Sequence, residues 1–299
     1  DAEKISGMEE LLKFVFLLAF VGFGTKAAVF PMYAWLPAAS VAPTPVTALL
    51  HAVAVVNAGA YAVLRVIYYS FGASFLYGTW AQTVALLLSC FTILFGSTMA
   101  VREQHFKRRL AYSTISNLSY MLMGAALMTP DGMTGSLSHL VIHGVIKITL
   151  FYCAGAILIK TGKEYVQDLR GYSRIMPATC VIFLLGSIAL VGTPPLAGFV
   201  SKWNLLTAAS ATELPMGTVA IVCLIISAIL TAIYLFTAAL PMYFRPLNAD
   251  QAQLAGQKLD PSWMMLVPMG ILCALMIGLG LWSQPLVTFL RNISAGVIF

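Results

Sequence analysis

The constraint that dominates this sequence is the recurrence of apolar runs long enough to cross a bilayer. A spanning helix needs about 20 predominantly apolar residues. Stretches near 10–35, 45–70, 79–101, 109–128, 134–159, 176–209, 215–243 and 263–289 meet that length. In hydrocarbon each segment must satisfy its own backbone, so these runs predict helices and exclude open sheets. Composition agrees: 60% of the 299 residues are hydrophobic and 9% are charged, against about 25% charged in a soluble domain. The expected fold is all-α, a polytopic transmembrane helix bundle of about eight spans, with the lipid bilayer as its solvent.

The loops set an orientation. Alternating from the N-terminus, one side collects ten Lys and Arg and the other collects four. Short cytoplasmic loops carry the basic excess, so the basic side is expected to be cytoplasmic, both ends of the chain to be outside, and the membrane to be the cell's inner (plasma) membrane. The net charge of +6 then reports topology, and no nucleic-acid partner is expected. The five cysteines (Cys90, Cys153, Cys180, Cys223, Cys273) form no C-x-x-C pair. That pattern suggests neither a metal site nor a disulfide framework. The chain opens on Asp1 with no initiator Met, as expected for the later part of a longer polypeptide.

Three basic residues fall inside spans: Lys26, Lys147 and Lys202. A charge near the bilayer centre costs ~2.5–3.5 kcal/mol on insertion scales. Snorkelling explains lysines at helix ends, such as Lys13, but not these. All eleven acidic residues map to loops or span ends, so no carboxylate stands at membrane depth to pair with them. A lysine without water or a counterion is a group whose charge can switch, and a carboxylate supplied from elsewhere would serve the same end. Helix breaks accompany two of the three. Pro31 follows Lys26 by five residues, and "VGTPPLAGFVSK" places Pro194, Pro195 and Gly198 just before Lys202. The prolines remove donors to carbonyls one turn back, in the Ala189–Val191 turn at the second break, and Gly198 is expected to add flexibility. Broken helices at membrane depth are tolerated where they line a buried or watered cavity, and they recur in transporters.

"LSHLVIHGVIKITLF" joins these clues. His139, His143 and Lys147 recur every four residues, which puts them on one helix face over ~12 Å. No carboxylate or cysteine stands nearby to complete a metal site. Histidine titrates near neutral pH, so the stripe suits a water-bridged proton path, and His51 in the second span joins it.

With these residues in view, the sequence resembles the antiporter-like, proton-conducting membrane subunits of respiratory complex I, multisubunit Na+/H+ antiporters and membrane-bound hydrogenases. The resemblance rests on Gly24–Arg65, Lys107–Met121, His139–Ile157 and Gly192–Leu206, and it is most like the largest such subunit of complex I and its antiporter counterpart. It implies two inverted five-helix repeats, each with a broken helix. Residues 1–75 would end the first repeat, 76–246 would form the second, and 247–299 would hold a cytoplasmic loop and the C-terminal span. It further implies a relay through Lys26, His51, Lys147 and Lys202. The relay's glutamate would lie upstream of Asp1, so other membrane subunits or a missing segment would provide a carboxylate for Lys26. The expected function is proton translocation in a redox-driven pump of the NADH:quinone oxidoreductase or hydrogenase type, as a non-redox subunit with no cofactor in this chain. A Na+/H+ antiporter subunit is the alternative, with Na+ in place of or beside protons.

Overall fold

The structure is a computed structural model that describes residues 7–40, 42–212, 215–248, 251, 254 and 256–297. The acids Asp1, Glu3, Glu213 and Asp250, counted among those outside the spans, and Lys4, counted on the less basic side, lie outside the described residues.

Helix α1 (Glu9–Gly24) leads into an irregular turn and the short α2 (Trp35–Ala39). Helices α3 (Thr44–Ala52) and α4 (Val55–Arg65) form one span that continues as a π-turn through Phe71, with the single turn α5 (Ala73–Leu76) after it. Then come α6 (Trp80–Arg102), α7 (Phe106–Ala126) and α8 (Pro130–Thr161). The half-length helices α9 (Pro177–Val191) and α10 (Ala197–Ala211) precede α11 (Met216–Phe244), α12 (Trp263–Leu281) and α13 (Gln284–Ala295). No strand occurs among the described residues; an isolated bridge joins His105 and Tyr165.

Five of the expected spans are helices long and apolar enough to cross a membrane unaided: Thr44–Phe71, α6, α8, α11 and α12. The others depart from simple spans for physical reasons. The first and sixth are broken at Pro31 and at Pro194–Pro195. The fourth, α7, is rich in Ser, Thr and Asn, and nearly all of it is buried. Two differences from the sequence reading concern boundaries. The eighth span was expected to run to 289, but it ends at Leu281, and a turn at Trp282 and Ser283 starts the separate α13 with Pro285 in its first turn. The second span is interrupted at Val53 and Ala54 without a proline, and the Asn57 side chain donates to the freed Ala52 carbonyl at 2.8 Å.

Loop pairing gathers the basic residues at one face. Phe106 N–H donates to the Glu164 carbonyl (2.7 Å), Gly171 N–H to Pro241 (3.0 Å) and Leu259 N–H to Ile175 (2.7 Å). Asp260 accepts from the backbone N–H of Ala178 (3.2 Å) and Thr179 (3.0 Å) and from the Thr179 hydroxyl (2.9 Å), which satisfies the free donors of α9's first turn.

The apolar core is two clusters rather than one, and α6, α7, α8 and α11 pass from one to the other. α6 changes cluster between Ile93 and Ala100, α7 between Leu110 and Ile115, and α11 between Leu224 and Tyr234. The side chains at those crossings are polar and fully buried: Ser97, Ser113, Ser227 and Thr231. His51 occupies the same position between Ala48 and Val56, His139 between Met133 and Ile142, and Ser201 between Ala197 and Leu205. The fold therefore builds a buried polar layer between two apolar slabs, and His51, His139, His143, Lys147 and Lys202 fall in or beside it, whereas Lys26 and Pro31 do not.

Candidate functional site

Helix α8 carries the stripe. Its residues Ser138, His139, Ile142, His143, Ile146 and Lys147 are buried, so the i, i+4, i+8 face points into the bundle. Lys147 is fully buried. Its Nζ donates to the Leu110 carbonyl of α7 at 3.0 Å and to the Ser113 hydroxyl. Both acceptors are uncharged, and among the described residues no carboxylate pairs with it. The His143 ring stacks on His139, with centroids 5.8 Å apart. His139 Nδ1 lies 2.9 Å from the Ser201 hydroxyl of α10.

Lys202 follows Ser201 and is partly buried. Its Nζ donates to the Leu190 (2.7 Å) and Val191 (3.0 Å) carbonyls at the end of α9. Those carbonyls are the ones that Pro194 and Pro195 leave without a helical donor. The ammonium also stands 5.3 Å from the Tyr120 ring centroid, within cation–π range. Tyr120 in turn meets the His139 ring at 5.4 Å.

At the other end of the stripe, His51 stacks on Phe151, one helical turn beyond Lys147, at 4.8 Å. His51 is fully buried. Among the described residues, both ring nitrogens of His51, both of His143, and Nε2 of His139 have no hydrogen-bond partner. Buried polar groups in proteins are nearly always paired, and five unpaired imidazole nitrogens in one layer fit bridging by water, which both donates and accepts. The structure thus brings His51, His139, His143, Lys147 and Lys202 into one continuous patch.

Lys26 stands apart. It sits in the turn after α1, exposed, beside a cavity of about 340 Å³ lined by Ala19, Gly22, Phe23 and Thr25. Pro31 lies in the same irregular segment, and helical pairing ends earlier than the proline rule predicts, at Gly24. The segment is held by Trp35 Nε1 to the Thr25 carbonyl (2.8 Å) and Phe30 N–H to the Thr92 hydroxyl (3.3 Å). Gly198 departs from its expected role. It lies inside α10, not in the break, and a side chain there would strike the Ala189 carbonyl, so its use is close approach and not flexibility.

Sequence reasoning passed over several partners. Ser113, Tyr120 and Ser201 were read as ordinary span residues, although "AYSTISNLSY" is unusually polar for a buried helix. The fourth histidine, His105, lies outside the spans, and its Nε2 is 3.5 Å from Glu164 at the basic face. Lys107 and Arg109, counted as loop charges, are 5% and 3% exposed. Among the described residues no cluster of His, Cys, Asp or Glu is placed to hold a metal.

The family model for the transmembrane region of NADH:quinone oxidoreductase and Mrp antiporter proteins matches residues 4–231. The chain belongs to this family. Family relatives include NADH-quinone oxidoreductase subunit N of Desulforudis audaxviator, 33% identical over 93% of this chain and 56% of that protein. F(420)H(2) dehydrogenase subunit L of Methanosarcina mazei is 35% identical over 75% of this chain and 34% of that protein. The chain thus spans about half or less of the length of these relatives. Among solved structures, the Mrp complex from Dietzia sp. superposes with a TM-score of 0.83 at 24% identity, covering 94% of this chain and 59% of that one. Respiratory complex I from Thermus thermophilus gives 0.78 at 24% identity over 94% and 57%. The antiporter-like fold expected from the sequence is therefore shared with both.

Proposed function

We propose that this chain carries protons sideways through its buried polar layer, as an antiporter-like subunit of a redox-driven pump of the complex I type. The observation that supports this most directly is the contiguity of His51, Lys147, His143, His139 and Lys202 across the junction of two apolar slabs. A proton received near Lys26 passes to His51, then along the α8 stripe, and leaves at Lys202 beside the second break. Each of these five is a group that gains and loses a proton, and among the described residues none pairs with a carboxylate that would hold it in one state. His139, through Ser201, is the stripe member next to Lys202.

Lys26 takes its carboxylate from another part of a longer polypeptide or from a neighbouring membrane subunit. Making and breaking that pair is the event by which redox chemistry elsewhere in the complex moves the proton on. In this reading residues 1–75 close a first repeat, 76–246 form the second, and the basic face is cytoplasmic. The chain itself transfers no electrons and holds no cofactor.

The test is an assembled complex carrying Lys147→Ala. Coupled pumping is expected to be lost, and full pumping by that complex overturns the relay. Sodium is the rival cargo, since the family includes Mrp antiporters. Na+ favours several oxygen ligands, carboxylates among them, and every described acid lies at a helix end or in a loop. Pumping that continues when Na+ is replaced by choline supports protons; pumping that stops supports the antiporter reading.

A further inference from the structure

The second span has a break that no proline marks, and its backbone bonds do not close. The Val53 and Ala54 N–H groups both turn back to the Leu49 carbonyl, at 3.0 and 2.9 Å. No helical hydrogen bond bridges Ala54, and Ala54, the residue before α4, offers no side-chain cap. The last carbonyls of α3 (Leu50, His51, Ala52) and the first N–H groups of α4 (Val55, Val56, Asn57) therefore meet at the gap without their usual helical partners. One carbonyl is recovered by a side chain: Asn57 Nδ2 donates to Ala52 at 2.8 Å. That bond fixes how the amide is turned, since only an N–H can meet a carbonyl. Asn57 is 8% exposed, and its other amide atom, Oδ1, is sealed in the break with no hydrogen-bond partner among the described residues.

The gap stands between Lys26 and the α8 stripe. On one side, α4 packs on the first break: a methyl on Gly59, two residues beyond Asn57, would lie 2.6 Å from Lys26 Cβ. On the other side, α8 presses on the gap itself. A methyl on Gly144 would lie 3.2 Å from the Ala52 carbonyl oxygen and 3.8 Å from Asn57 Nδ2. Gly144 thus leaves the α8 side of the gap without a side chain. His51 is the residue before Ala52 and His143 the residue before Gly144, and among the described residues all four of their ring nitrogens are unpaired.

These groups suit one kind of ligand. They include donors, the α4 N–H groups, and acceptors, the α3 carbonyls and Asn57 Oδ1, with no full charge of either sign. The N–H groups turn away a metal cation and the carbonyls an anion. Water both donates and accepts, and a buried water takes about three polar partners of this sort. An unbroken helix would spend the same backbone groups on its own bonds.

We propose that the Val53–Ala54 break is a water-binding site and that Asn57 is its positioning residue, holding the water through Oδ1 where it links His51 to His143. This rests on the relay reading, in which both histidines carry protons. The water accepts a proton from the His51 imidazolium and gives one to the neutral His143 imidazole, so it ends as it began. Asn57 neither gains nor loses a proton.

The assembled, unaltered complex is imaged first, at a resolution that shows ordered water. Density within hydrogen-bond reach of Asn57 Oδ1 and of a His51 or His143 ring nitrogen is expected, and a dry break overturns the site. This measurement also decides the matter where a variant fails to assemble. In the pumping assay, Asn57→Leu, close in volume but without polar atoms, is expected to slow pumping several-fold. It is also expected to enlarge the slowing seen in D2O, because the handover of the proton then limits the rate. Asn57→Ser keeps a hydroxyl that can hold water and is expected to recover most of the rate and the ordinary isotope effect. A purely structural asparagine would leave the isotope effect unmoved. An assembled Asn57→Leu complex that pumps at full rate, or one that is slow with an unchanged isotope effect, overturns the positioning role. Failure of the relay is read separately: full pumping by Lys147→Ala overturns the relay, while the water density reports on the site directly.

Discussion

The two helix breaks share their ingredients and use them differently. Each has a lysine, a cis X-Pro bond (Phe30–Pro31 and Pro194–Pro195) and a glycine at a close approach. At the second break, Lys202 follows the prolines and sits on α10. Helical side chains lean toward the N-terminus, so Lys202 points back into the break and caps the carbonyls left free there. At the first break, Lys26 precedes the proline. It lies in the turn beyond the end of α1, exposed beside the cavity lined by Ala19, Gly22, Phe23 and Thr25, and Trp35 and Thr92 tend the break instead. The lesson is that chain order decides whether a lysine serves its own break or is left facing outward. Lys202 is a built-in member of the layer, whereas Lys26 stands exposed outside it, open to the partner proposed above.

That contrast can be broken by substitution, with stability as the first measure. Lys202→Ala should show the largest effect: two buried carbonyls lose their donor at about 1–3 kcal/mol each. Thermal melting should fall markedly, pumping should be lost, and Lys202→Arg should recover the melting temperature. Gly59→Ala comes next. A methyl there would stand 2.6 Å from Lys26 Cβ and 2.7 Å from the Ala27 nitrogen, so about 1–3 kcal/mol of overpacking is expected, seen as a lower midpoint in denaturant. Ser201→Ala removes the His139 contact at ~1 kcal/mol and should slow pumping without stopping it. Lys26→Ala should leave the melting temperature of the chain unmoved while pumping by the complex fails. A drop matching that of Lys202→Ala would show that Lys26 is a structural cap after all.

The parts of the site that were legible in the sequence are those that lipid makes expensive. Lys147, Lys202 and the His139–His143 spacing stood out because a charge or imidazole in an apolar run needs a cause. Ser113, Ser201 and Asn57 did not stand out, because short polar side chains satisfy themselves on a backbone carbonyl and are common in spans. Arg109 and Lys107 were misplaced for a related reason. Flanking charges look like loop residues, yet Lys107 reaches inward to the Ala42 carbonyl at 3.3 Å and Arg109 to α11. The interruption at Val53 was invisible because its remedy, Asn57, lies five residues on and no proline marks it. The end of α12 at Leu281 was missed because apolar residues continue through the turn.

One feature of the loops reaches further than its hydrogen bonds. Helix α9 is a rod of 15 residues, ~22 Å long, with Asp260 at its first turn and Lys202 at its last. Its peptide dipoles sum to about half an elementary charge at each end, and each end faces a side chain of opposite sign. The rod is thus a polarised bar clamped between an anion and a cation. In the proposed relay, a proton leaving Lys202 would uncover the negative pole, and the change would be felt over the last turn of the bar, where the dipole acts.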